Sequence, residues 1–181
     1  MLIANSLRKS NYAEYVLYMW QVEDLIRSAG ADIDRLDDYI ARLSPEAAQR
    51  AKIRQWYANL CTMMQQEGKI KAGHLQINEV AVQHLEDLHQ RLLSDISYHY
   101  YRQMYERVLP IIVELRAKGA RRDETELHTC FDLLYGLLLL RLQHRPISEA
   151  TTEAAQAVST LLGQLADYYA KDKVGELKIN D

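Results

Sequence analysis

The run Leu133–Leu142, LLYGLLLLRL, leaves a chain like this the fewest ways to fold. Only Gly136 and Arg141 interrupt it, so a helix there has no polar face to turn to water. It needs cover all round, from other helices or from lipid. A membrane span takes about 20 apolar residues. Asp132 on one side and Gln143, His144 and Arg145 on the other close this run too early. The run therefore predicts a central apolar core helix over about residues 123–143, with the other helices wrapped around it.

The rest of the chain is read against that demand for cover. Its 181 residues suffice for one domain with a full core. Seven Gly and three Pro leave few places for tight turns, which favours helices over many short strands. Twelve Tyr against one Phe suit half-buried walls and crevices, where a ring is covered and its hydroxyl stays wet. A net charge of -3 lacks the electrostatic footprint of a nucleic-acid or anionic-membrane binder. Cys61 and Cys130 fall on predicted helices without a C-x-x-C neighbour and are expected as reduced buried thiols. The apolar part of MLIANSLRKS is too short for a secretory signal, so a cytoplasmic location is expected.

Caps and periodicity divide the chain into helices. Leu2 and Ile3 belong to an N-terminal arm expected to dock on the bundle. Asn11 with Glu14 three residues later is a capping-box-like start for a helix to about 28, with Tyr15, Tyr18, Met19, Val22 and Ile26 as its stripe. Asp32 opens a short helix to about 42, and Ser44-Pro45 starts another that stops at Gly68. The connector GKIKAGHLQIN reads as extended. Helices follow over about 78–94 and 98–118, the second with Pro110 expected to kink it. After the core helix, Ser148 starts a last one to about 170.

The whole reads as all-α: a single-domain antiparallel helical bundle, residues 1–181, of about six to seven helices. Five segments have a familiar look together: YAEYVLYMWQVEDLIR (12–27), GHLQIN (73–78), LPIIVELRAKG (109–119), CFDLLYGLLLLRLQ (130–143) and YYAKDKVGELK (168–178). In this order they resemble an uncharacterised family of all-helical bacterial proteins, a domain of unknown function. The resemblance implies one helical domain in a bacterial cytosol, and no activity, cofactor or site residue.

Candidate chemistry is sparse. Glu86 and His89 make one Glu-x-x-His unit of the kind used in helical di-iron proteins, which need two units and further carboxylates. At about 130° from the Ala81–Leu92 stripe, Glu86 is expected to face solvent, and no metal or other cofactor is expected. Arg122 followed by His128 resembles the Arg-x(4–6)-His ribonuclease motif of the HEPN superfamily, where the pair at a helix start orients groups around an RNA phosphate. The plainer reading makes Arg122 solvated and His128 a helix-surface residue. Tyr98, His99, Tyr100, Tyr101, Arg102 and Tyr105 have the residue types of a single-strand nucleic-acid platform, but the acidic balance favours a helix wall. No phosphate loop, nucleophile elbow or His-Glu-x-x-His helix is present.

Arg141 is the most informative polar residue, because it extends the stripe Leu127, Cys130, Phe131, Leu134 and Leu138. A buried cation needs a partner, so a salt bridge to Glu23, or next to Glu114, is expected. The functional alternative makes Arg141 the cationic floor of a pocket for a small anionic ligand. The expected function is thus non-enzymatic binding of a partner or a small anion. A HEPN-like ribonuclease or other hydrolase using Arg122 and His128 is the alternative. A homodimer through Leu17 and Trp20, opposite the stripe of their helix, is also expected.

One internal echo remains. KAGHLQINE (71–79) matches KVGELKIND (173–181), and both alternate Leu and Ile with polar neighbours. Residues 74–77 and 176–179 are therefore expected to pair as one short two-stranded ribbon across the bundle.

Overall fold

Side-chain caps set where several of the helices begin. A computed structural model gives the structure of residues 2–119 and 124–179. It contains α1 (Leu2–Ser10), α2 (Tyr12–Ser28), α3 (Asp37–Leu43), α4 (Ala47–Gln66), α5 (Gln76–Ser94), α6 (His99–Ala117), α7 (Glu126–Leu142) and α8 (Glu149–Lys173). Asn11 accepts from the Glu14 backbone N–H at 3.1 Å, Thr125 from that of His128 at 3.2 Å, and Ser148 from that of Thr151 at 3.1 Å. Each bond satisfies a donor that the first helical turn leaves open. Gly30 ends the turn after α2 at φ +68, a conformation that costs a glycine little. The N-terminal arm is itself a helix, α1, and α6 runs through Pro110.

The all-α bundle is confirmed, and among the described residues there is no strand. One core cluster takes buried side chains from all eight helices. Its centre is not the leucine-rich helix. α8 packs against α2, α5, α6 and α7, while α2 also contacts α1 and α4. Leu85, Leu88 and Leu92 of α5 belong to this cluster together with Val158, Leu161 and Leu165 of α8, all essentially without solvent exposure.

α7 reverses the expectation that the leucine run is central. Its polar-looking N-terminal part is buried through Leu127, His128, Thr129, Cys130 and Phe131. In the leucine run only Leu137 is fully buried, and Leu140 and Leu142 are 36% and 65% exposed. A helix that is apolar all round carries no periodic signal for which part is covered. Here the neighbours reach its N-terminal half and leave one side of the other half open.

The ribbon does not form. Gln76 and Ile77 lie in the first turn of α5, and 176–179 is neither helix nor strand. The reason is a competing partner: Glu23 accepts the Leu75 backbone N–H at 2.8 Å and so starts α5 there. The tail is held by docking instead. Leu177 and Ile179 pack on the core, and the Tyr98 hydroxyl donates to the Lys178 carbonyl at 2.7 Å. Asn180 and Asp181, the end of the echo, lie outside the described residues.

Candidate functional site

Glu23 and Arg141 do not meet. Arg141 is exposed near the end of α7 and has no ion-pair partner among the described residues. Glu114 is exposed and takes Lys118 one turn later at 2.5 Å. Glu23 is completely buried and serves the connector before α5. It lies 2.6 Å from His74 Nδ1, accepts from Asn78 Nδ2 at 2.6 Å and from the Leu75 N–H, and has Arg27 at 3.7 Å. A buried carboxylate with this many donors is fully compensated, so it needs no distant arginine. Trp20 is 1% exposed and therefore closed to a dimer contact, while Leu17 is half-buried. The Trp20 ring stacks on His74 at 4.0 Å and lies 5.3 Å from the ring of His128.

His128 stands in a cage of acids. Its Nε2 is 3.7 Å from Glu79, and its Nδ1 is 3.5 Å from Glu124 and 3.6 Å from Asp132. Burial opposes charge on the ring most strongly, yet the nearby Asp132, Glu79 and Glu124 carboxylates push its pKa up to about 10. Glu79 is held below the usual carboxylate range, first by the His128 ring beside it. Arg122, the proposed partner of His128, lies outside the described residues.

His89, one helix face away, has the opposite setting. It is fully buried, its Nδ1 lies 2.7 Å from the Tyr101 hydroxyl, and burial pushes its pKa down despite Glu86 and Glu126. Glu86 is 8% exposed, not solvent-facing as its helical angle suggested, because α6 and α7 cover that flank of α5. Its Oε1 accepts from Gln90 at 2.9 Å. The tyrosines of α6 act as a wall: Tyr101 is fully buried and the Tyr105 hydroxyl donates to Glu126 at 2.6 Å.

A basic cavity, missed in the sequence, opens where the C-terminal ends of α1 and α8 meet α5. Its volume is about 540 Å³, and Arg8, Lys9 and Lys173 line it with Tyr12, Tyr169 and His84. No carboxylate is among its described lining residues. Tyr12 and Tyr169 stack at 4.3 Å and 17°, Tyr12 Oη lies 3.5 Å from His84 Nδ1, and Lys173 sits 5.1 Å from the Tyr169 ring centre. Burial and the Tyr169 hydroxyl raise the Tyr12 pKa to about 12, against the pull of Arg8 and Lys173. The nearby Asp172 is engaged by Arg91 at 3.2 Å. A second cavity of about 390 Å³ between α1, α2, α7 and α8 has Leu7, Leu17, Leu134 and Leu138 as walls, with Glu14 and Arg141 also in its lining.

A family model described as Domain of unknown function (DUF4924) matches residues 1–176. The chain belongs to that family. No curated protein and no solved structure matches it. Among the described residues, no helix is long and apolar enough to cross a membrane.

Two of these sites had traces in the sequence. Glu124, His128 and Asp132 recur every four residues, a spacing that lines side chains up along one side of a helix and its entry. Arg8-Lys9 and Lys171–Lys173 are visible cations, but nothing local says that the first pair and Lys173 converge.

Proposed function

We propose that the chain binds a small anionic ligand without chemical turnover, and that the basic cavity at Arg8, Lys9 and Lys173 is where it does so. The observation that carries this reading is the meeting of three cations around a stacked tyrosine pair, with no acid among the described lining residues. Cations at helix C-termini ordinarily offset the helix dipole, which supplies roughly half a negative charge per end. Two such ends absorb roughly one charge of three, leaving about +2 for a ligand. The volume suits a small molecule. A phosphate or carboxylate would take the cations, and a flat group would lie along the tyrosine edge.

Calorimetry with phenyl phosphate as the probe tests this. Saturable binding is expected, weakened about tenfold or more by Arg8→Glu or Lys173→Glu. Unchanged binding in both variants, or none in the parent protein, would overturn it.

A second anion site at Arg141 has its own support, a guanidinium without an ion-pair partner among the described residues, in the lining of a cavity walled largely by leucines. Arg141→Glu separates the two sites. For self-association, the exposed side of α7 around Leu140 and Leu142 is a better-supported surface than Trp20. The ribonuclease alternative has less support, because a His128 kept protonated by three acids is a poor proton acceptor at neutral pH. The buried free thiols of Cys61 and Cys130 fit a cytoplasmic setting.

A further inference from the structure

We propose that Glu124, His128 and Asp132 hold one divalent transition-metal ion, with zinc the best match to the donor set. The three residues offer one ligand atom each, and those atoms all lie within 4.8 Å of one another. Their spacing follows from the helix start. Thr125 caps α7, His128 follows in its first turn, and Asp132 lies one turn further, while Glu124 precedes the cap. In a tetrahedral zinc site with bonds of about 2.0 Å, neighbouring ligand atoms stand about 3.3 Å apart. Nδ1 of His128 is 3.5 Å from Glu124 and 3.6 Å from Asp132, close to that separation and too long for hydrogen bonds.

A second observation separates this group from an ordinary surface cluster of acids. His128 is 9% exposed, and its Nδ1 is buried with no hydrogen-bond partner, aimed between the two carboxylates. A buried ring nitrogen is rarely left so. An ion between the three atoms would satisfy it. The opposite nitrogen, Nε2, faces Glu79 at 3.7 Å, the arrangement in which a carboxylate orients a metal-bound histidine from behind. Trp20 packs against the ring and restricts its rotation, and His74 backs Trp20 in turn. Asp132, with its side chain 46% exposed, leaves the fourth position open to water or to a ligand.

The test is zinc titration of the full chain by calorimetry, with native mass spectrometry for stoichiometry. One ion per chain is expected with Kd of about 1 μM or tighter. Asp132→Asn and His128→Gln should each weaken binding at least tenfold, and Glu79→Gln about tenfold through ring orientation. Glu114→Gln, on exposed α6 surface, should bind zinc as the parent does. Should His128→Gln fail to fold, the exposed Asp132 variant decides the matter alone. Absence of binding at about 100 μM zinc, or equal binding by parent and Asp132→Asn, would overturn the site.

Discussion

His128 on α7 and His89 on α5 lie in the same bundle, yet their surroundings ask for opposite charge. Around His128 there are three carboxylates and a partial opening to solvent, and the ring is driven cationic. Around His89 there is a tyrosine hydroxyl and near-complete burial, and the ring is driven neutral. Both have acids nearby, so the count of acids does not decide. What differs is how much water is excluded and whether an acid reaches the ring directly. A region built like the first can exchange a proton for another cation, whereas one built like the second works as structure.

The largest effect should come from the buried anchor of the His128 region. Glu23→Ala leaves the buried Leu75 N–H and Asn78 amide without their acceptor and should cost about 3–5 kcal/mol in urea unfolding. A loss below about 1 kcal/mol would mean water replaces the carboxylate and the region is softer than described.

In the His89 region the effect should be smaller and pairwise. His89→Ala is expected to cost about 2–3 kcal/mol, since it opens a small void and strands the Tyr101 hydroxyl. In a double-mutant cycle with Tyr101→Phe the coupling should be about 1 kcal/mol. Additive losses would show that the hydroxyl has another acceptor.

The pH dependence sharpens the comparison further, because the two shifts have opposite signs. The pKa of His89 is lowered from 6.5, so the unfolded chain binds its proton more readily. Its stabilising effect is complete above 6.5 and lost as pH falls below that value. The pKa of His128 is raised to about 10. Its contribution is complete below 6.5 and is lost as pH rises toward 10. Unfolding measured across this range should therefore have an acid limb flattened by His89→Phe and an alkaline limb flattened by His128→Gln. Ring titration by NMR reads the two opposite shifts directly, and similar midpoints for both rings would break the contrast.

The smallest effect belongs to Arg141. Exposed and without an ion-pair partner among the described residues, it should tolerate Arg141→Ala within about ±0.5 kcal/mol. A loss of about 2 kcal/mol would reveal a buried partner and restore the expected core role.

Local chemistry made much of the fold legible. Asn11, Thr125 and Ser148 cap helices in the structure, and the local sequence predicts the starts at Asn11 and Ser148. For α4 the start moved two residues: Ser44 accepts the Glu46 N–H at 3.3 Å, while the helix begins at Ala47. The candidate site was less legible. His128 was singled out for a motif with Arg122, although its neighbours at Glu124 and Asp132 carry the geometry that matters.

By itself, the sequence determined the helices, their approximate ends and the all-α class, because caps and the 3.6-residue period act within a few residues. Tertiary structure alone decided which half of α7 is covered, since an apolar run has no polar face to orient it. It also decided the charge of each histidine. Ionisation depends on desolvation and on which distant acids are brought within a few ångströms, and Glu79 reaches His128 only because α5 packs against α7. The same holds for the meeting of Arg8 with Lys173, whose long-range Coulombic setting no local pattern encodes.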